Sequence, residues 1–269
     1  MNMLIVANEV AIRLGFFLGI FFSMAIWEAL APRRPLTQRK SLRWLNNLGL
    51  TLFNTLLVRL VFPSTAVGIA LLGAGKGWGW LHSVPTPAWA GGMLSIVALD
   101  LAIYTQHRLF HKVPLLWRLH RMHHTDLDID VTTGAKFHPL EILLSMAIKM
   151  GIIVLIGAPV WSVIVFEVLL NVTSMFNHSN ISLNLKADKV LRLLVVTPDM
   201  HRVHHSVIIR ETDSNFGFNF PWWDHLLGTY RAEPTAGHAA MTIGLANYRD
   251  PKWLKFHWML VVPFAQHYR

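Results

Sequence analysis

The sequence predicts an all-α fold of polytopic membrane helices, three spans plus a helical hairpin, beneath a helical cap that carries a histidine-rich two-metal site. Three observations lead there. Hydrophobic residues make up 53% of the 269-residue chain and charged residues 14%, whereas soluble domains carry about 25% charged residues. Apolar stretches near the length that crosses a bilayer, roughly 20 residues, recur between short basic loops. Ten of the 15 histidines fall between His107 and His205, outside every apolar stretch.

The first span is expected from about Val6 to Leu30. Arg13 lies near its outer end, where a long side chain can snorkel to the interface. The segment lacks a basic leader and a small-residue cleavage site, so it reads as a retained anchor. Arg33, Arg34, Arg39, Lys40 and Arg43 follow without an acid, which marks that loop as cytoplasmic. A second span is expected over 48–72. It contains Arg59 and Pro63, so Arg59 must face protein or water, or the segment must tilt or break. The Gly-rich stretch 73–80, with Trp78 and Trp80, suits the far interface.

The third span, 88–106, returns to the cytoplasmic side and delivers His107 there. Residues 107–140 are polar. Apolar helices then fill 141–175 as a hairpin, broken at Gly157-Ala158-Pro159. Each arm is short for a perpendicular span, and both ends return to the cytoplasmic side. Segments 107–140 and 176–269 form the cytosolic cap, and the whole of 1–269 is expected to be one membrane domain. The apolar run from Trp258 to Phe264 is too short to span.

Composition narrows the function. A net charge of +9 and a pI near 10.2 would suit nucleic acid, but the basic residues sit in loops between apolar segments, as the positive-inside rule requires. No nucleic-acid partner is expected. The chain has no cysteine, which excludes disulfides, thiolate zinc and its own iron–sulfur clusters. It has no H-E-x-x-H and no phosphate-binding P-loop, so a zinc protease or a P-loop nucleotidase lacks its machinery.

Imidazole remains. His107 and His111 are four residues apart, on one helical face. His120, His123 and His124 form an H-x-x-H-H triad, and His201, His204 and His205 repeat it. His138 and His178 stand alone. Ten histidines exceed the four ligands of one zinc, so two metal ions are expected, of a kind that accepts neutral imidazole.

In this order, H-x-x-x-H, H-x-x-H-H and H-x-x-H-H resemble the fatty acid hydroxylase superfamily, which includes sterol desaturases, sphingolipid hydroxylases and alkylglycerol monooxygenases. Leu116-Trp117-Arg118-Leu119-His120, Phe137-His138-Pro139-Leu140-Glu141, Thr197-Pro198-Asp199-Met200-His201, Asn215-Phe216-Gly217 and the run from Trp223 to Thr229 strengthen the likeness. It extends from about Leu48 to Tyr230. The resemblance implies a di-iron centre that activates O2, with His107, His111, His120, His123, His124, His138, His178, His201, His204 and His205 as ligands. Zinc can replace iron in a purified sample. His225 is read as a non-ligand.

Spacing suggests acids behind the ligands. Asp100 lies seven residues before His107 on the same face, and Asp126, Asp128 and Asp130 follow the first triad. Asp199 either supports His201 or serves as an acid at a helix N-terminus. Trp222 and Trp223 are expected as interface anchors or core.

The expected reaction is hydroxylation of an unactivated C–H bond of a membrane lipid by O2. Desaturation at the same site is the rival, with a metal-dependent hydrolase or a metal transporter further off. The lipid remains open among sterol, fatty acyl, sphingolipid, ether lipid and aminolipid. Electrons must come from outside, since the chain has neither a nucleotide-binding glycine motif nor a His-Pro-Gly-Gly haem segment. A ferredoxin, or cytochrome b5 with its reductase, is the expected donor. Arg118, Arg121, Arg202 and Arg210 are expected to steer it. The site would face the cytoplasm, from a bacterial inner membrane or the endoplasmic reticulum.

Overall fold

The structure, a computed structural model, describes residues 7–265. Among them there is no β-strand, only isolated bridges between Pro32 and Ile181 and between Ser206 and Ile243. Helices α1 (Glu9–Leu30), α2 (Lys40–Val61), α3 (Ala66–Lys76), α4 (Ala88–Lys112), α5 (Pro114–His120), α6 (Pro139–Ile156) and α7 (Val160–Asn177) carry the apolar sequence. Short helices α8 (Leu185–Leu191), α9 (Pro198–His204), α10 (Ile209–Thr212), α11 (Trp222–Leu226), α12 (Gly237–Ala240) and α13 (Phe256–Val261) follow.

Among the described residues, five helical segments are long and apolar enough to cross a membrane: α1, α2 with α3, α4, α6 and α7. Their outward faces are bare leucine, phenylalanine and valine, with Leu60 83% exposed and Leu155 69% exposed. Such faces need lipid around them, and the chain is an integral membrane protein.

The helix ends follow local chemistry. α1 ends at Leu30 as expected, while the anticipated start at Val6 lies outside the described residues. The expected span 48–72 is broken. Pro63 drives Phe62 into an extended conformation, φ −103° and ψ 117°, because its ring disfavours helix in the residue before it. α2 therefore stops at Val61, and Thr65 caps a new helix by accepting from Gly68 N at 3.1 Å. This break places Arg59 in the last turn of α2, exposed rather than at mid-span. α4 continues past the expected end at 106 to Lys112, stopping two residues before Pro114. It thus carries both His107 and His111. The hairpin runs slightly beyond 141–175 at both ends and turns at Gly157, whose φ of +75° suits glycine.

α1 packs on α7, and α4 on α6 and α7. A core of Ala66, Val67, Ile96, Leu99, Ile153, Val163 and Phe166 fills the space between α3, α4, α6 and α7. Within this apolar bundle, Glu167 of α7 is 2% exposed. Arg13 lies 2.9 Å from it and Lys149 2.5 Å. Arg13 is therefore paired with an acid from another helix, which its position in α1 alone did not suggest. Glu167→Ala removes the acid of Lys149 and leaves Arg13 only Glu9, 3.5 Å away, at a cost of about 3–5 kcal/mol for a broken buried pair. A clear fall in detergent-extracted yield and melting temperature is expected, and a wild-type melting curve would show that the cluster is not stabilising.

One side of the bundle is tied together by polar contacts. Glu28 Oε1, near the end of α1, accepts from Val131 N at 2.7 Å and Asn180 N at 2.8 Å. Arg43, at the start of α2, reaches the loop at 126–133. The histidines gather on this side.

Candidate metal centre

Each histidine-bearing segment ends or turns where its ring must point inward. α4 projects His107 and His111 from one face. Pro114 starts α5, which ends at His120, and His123 and His124 occupy a 3-10 turn. The first triad is thus not on one continuous helix, contrary to what its spacing suggests. α9 starts at Pro198, with Thr197 Oγ1 accepting from Met200 N, and holds His201 and His204, with His205 at its C-terminal boundary. His178 follows the last residue of α7.

Nine of the ten histidines form two groups that could hold metal ions. His107, His111, His120, His124 and His204 make the first, and His123, His178, His201 and His205 the second. Within each group the candidate ligand atoms lie within 4.8 Å of one another, and every residue is buried. Both triads divide alike. The residues four apart stay together (His120 with His124, His201 with His205), and the third turns to the other group.

Nitrogen spacings match shared ligation. His107 Nε2 lies 3.1 Å from His120 Nε2, and His124 Nε2 lies 3.3 Å from the same atom. In the second group His178 Nε2 lies 3.1 Å from His123 Nε2 and 3.0 Å from His201 Nε2. Two nitrogens each ~2.1 Å from one ion and at right angles to each other are about 3.0 Å apart. Neither ring nitrogen of the buried His205 has a hydrogen-bond partner, and an unsatisfied buried imidazole is costly unless something else binds it. The donor set therefore fits metal.

The opposite ring nitrogens are held. Those of His107, His123, His178 and His204 donate from Nδ1 to the carbonyls of Phe216 (2.8 Å), Lys136 (2.9 Å), Ser174 (2.7 Å) and Ser214 (2.8 Å). His120 Nδ1 pairs with Glu141 Oε1 at 2.7 Å, and His111 Nδ1 lies 3.4 Å from Asp213 Oδ1. Such partners fix the tautomer, leaving Nε2 with its lone pair facing the centre. Burial, then repulsion from neighbouring imidazoles, holds His123, His124, His201 and His205 well below the usual histidine range. Burial pushes His178 down to about 4. These five are neutral at pH 7, as ligands must be.

The sign of the pH dependence follows. Between the ordinary value of 6.5 and about 4 for His178, the unfolded chain binds more protons than the folded one. Stability from these imidazoles is complete above about 6.5 and is lost as pH falls toward 4. The melting temperature of metal-stripped protein is expected to be flat above pH 7 and to fall through that window. A flat profile down to pH 4.5 would contradict neutral, buried imidazoles.

The remaining site expectations find other partners. His138 lies outside both groups. It caps α6, accepting from Leu140 N at 3.2 Å through Nδ1, while its Nε2 approaches Leu260 O at 3.3 Å. His225 stacks on Tyr230 at 3.9 Å. Asp100 accepts from Trp223 Nε1 at 2.8 Å, so Trp223 anchors α11 to α4. Asp126 pairs with Arg43 at 3.2 Å. Burial opposes its charge, but Arg43 and Lys136 hold its carboxyl below the usual range. Asp128 accepts from the Thr37 and Gln38 amides, and Asp130 binds Arg43. Asp199 pairs with Arg33 at 3.1 Å and with Arg202, and its nearest imidazole is His238 at 3.7 Å.

None of these three aspartates, Asp100, Asp126 or Asp199, bonds a grouped histidine, because each lies closer to a cation or indole from a distant segment. The acids that do approach ring nitrogens, Glu141 and Asp213, were not singled out by spacing. Glu141 stood in the Phe-His-Pro-Leu-Glu run, but Asp213 had no sequence signal.

A family model described as fatty acid hydroxylase matches residues 92–229. An ornithine lipid hydroxylase of Rhizobium tropici is 31% identical over 142 residues, covering 53% of this chain and 42% of that protein. The human alkylglycerol monooxygenase is 27% identical over 164 residues, covering 61% and 35%. A fatty acid hydroxylase of a Lecanicillium species is 46% identical over 48 residues, covering 17% and 13%. The matches thus span less than half the length of these relatives. No solved structure shows a significant match.

Proposed function

Because the chain belongs to the fatty acid hydroxylase family, we propose that it is a membrane di-iron oxygenase that hydroxylates an unactivated C–H bond of a lipid. The observation that carries this reading is the pair of buried all-histidine groups. The relatives' names, hydroxylase of an ornithine lipid and monooxygenase of alkylglycerols, favour oxygen insertion over desaturation and a lipid substrate over a soluble one.

The overall balance is R–H + O2 + 2 electrons + 2 protons giving R–OH + H2O. When bound, two iron ions supply the O2 and C–H chemistry. The first group would hold one ion and the second the other. The protein's part is to present neutral Nε2 atoms, to keep the Nδ1 protons on the rings by accepting from them at carbonyls and Glu141, and to exclude bulk water with the apolar rings around the centre. Residues 1–269 act as one domain in this reading, the histidine-bearing layer forms a cap on the cytoplasmic side, and the membrane is a bacterial inner membrane or the endoplasmic reticulum.

The two electrons come from a ferredoxin, or from cytochrome b5 with its reductase. Two of the four arginines expected to steer the carrier are buried. Arg202 is fully buried against Asp199, and Arg121 donates to the carbonyls of Val262 and Ala265, both at 2.7 Å. Arg118, whose Nε donates to Pro263 O at 2.7 Å, and Arg210 are exposed, and their charges would attract an acidic carrier.

The test is anaerobic purification, metal analysis, and O2 uptake with lipid extract plus reductant. Two iron ions per chain and carrier-dependent appearance of lipids bearing one added oxygen are expected, with turnover falling as salt rises. One metal per chain in active protein would overturn the di-iron reading. Multiple turnovers on NAD(P)H alone would remove the carrier.

A further inference from the structure

We propose that Phe137 and Phe218 form an aromatic gate between the bilayer and the two histidine groups, and that they select which carbon of the lipid chain is presented there. The proposal rests on the lipid hydroxylase reading and adds to it the residues that set the site of attack. Each ring touches both groups. Phe137 stacks on His123 of the second group at 4.5 Å and 8°, and on His120 of the first at 6.3 Å. Phe218 meets His107 of the first group at 5.7 Å, and His178 and His201 of the second at 6.2 Å each. By contrast, Phe216 packs on His107, His111 and His204, all from the first group. The Phe137 and Phe218 rings meet each other at 6.3 Å, so together they cover the junction between the groups.

Both residues are anchored to membrane helices. Asn54 Nδ2 on α2 donates to Phe137 O at 2.8 Å, and Asn177 Nδ2 at the end of α7 donates to Phe218 O at 2.9 Å. Asn54 lies six residues, or about 9 Å, beyond Leu48, where the apolar stretch of α2 begins. The Phe137 backbone is thus tied to a helix of the apolar, membrane-crossing set. While the histidines are at most 4% exposed, Phe137 is half-buried.

A phenyl ring neither ligates a metal nor donates a hydrogen bond. Its use at such a junction is to keep water out and to shape apolar space. An acyl or alkyl chain entering past α2 and α7, the helices to which the two residues are tied, would reach the centre by turning these rings aside, and their bulk would fix how far it advances. A shift of 1 Å at such a site costs about 100-fold in rate.

The experiment uses the full chain in lipid nanodiscs, as wild type, Phe137→Ala, Phe218→Ala and Phe218→Trp. One readout is the position of the new hydroxyl in the product. A second needs no turnover. With Co(II) bound at the centre, relaxation enhancement of lipids carrying a nitroxide at successive chain positions reports how closely each position approaches. The alanine variants are expected to spread hydroxylation onto neighbouring carbons and to extend enhancement to further labels. Phe218→Trp is expected to lower turnover ~100-fold with metal content unchanged.

Unchanged product position together with an unchanged relaxation profile in both alanine variants would overturn the gate. If the alanine variants lose metal, Phe137→Leu and Phe218→Leu, which keep apolar bulk, decide the matter by the same two readouts. If wild type converts no lipid, the hydroxylase reading fails, and the relaxation profile alone decides whether these rings bar the chain.

Discussion

His123→Ala and His204→Ala are each expected to abolish lipid oxygenation, whereas His82→Ala and His257→Ala leave most of it. His204 belongs to the five-histidine group and His123 to the four-histidine group, so the two variants damage different ions. Each also removes a ring whose Nδ1 is fixed by a carbonyl, from Ser214 and Lys136 respectively. Loss of a supporting partner alone typically costs 10–100-fold in metal affinity or activity, and loss of the ligand itself costs more. Metal content is expected to fall from two per chain to about one in either variant, with no lipid product above background. His82 and His257 are exposed and outside both groups, so they serve as controls for expression and handling. His138→Ala adds a sharper control. It should weaken the cap of α6 while leaving two metals, since His138 is in neither group. Turnover by His123→Ala or His204→Ala at wild-type protein level would falsify the grouping.

Arg43→Met is expected to produce the second largest effect without touching any histidine. The Arg43 side chain is fully buried. Its guanidinium binds Asp126, Asp130, Asp128 O and Thr133 Oγ1 at once. These residues lie in the loop joining His124 to Lys136, whose carbonyl holds His123. Without the guanidinium, two buried carboxylates lose their main cation, and breaking such a pair costs about 3–5 kcal/mol. A drop in melting temperature on the order of 10 °C and loss of metal from the second group are expected. Lysine should not rescue, because a point charge cannot reproduce a planar fork that serves several acceptors. Adding Asp126→Asn and Asp130→Asn to Arg43→Met should recover part of the stability, since it removes the stranded charges rather than restoring the pair. Melting and metal analysis read both effects, and an Arg43→Met protein with two metals and wild-type melting would refute the role.

The sequence by itself determined what depends on neighbours a few residues away. Length and apolarity marked the spans, and Pro63, Gly157 and Pro159 marked where helices break or turn. The H-x-x-x-H and H-x-x-H-H spacings marked eight of the nine histidines that converge; of the two that stand alone, His178 joins them and His138 does not. Tertiary structure decided everything set by segments far apart in the chain. Spacing could not show that α5 ends at His120, or that His123 and His204 each face the group opposite the rest of their triad. It placed Asp100 on the His107 face, but Trp223 arrives from 123 residues away to take its carboxylate. Asp126 went to Arg43 and Asp199 to Arg33 and Arg202, while Glu141 and Asp213 supplied the acids beside ring nitrogens. Hydropathy and helix periodicity are properties of a few consecutive residues. Which carboxylate meets which imidazole depends on how whole helices dock, and a buried charge settles on the strongest partner that docking brings within reach.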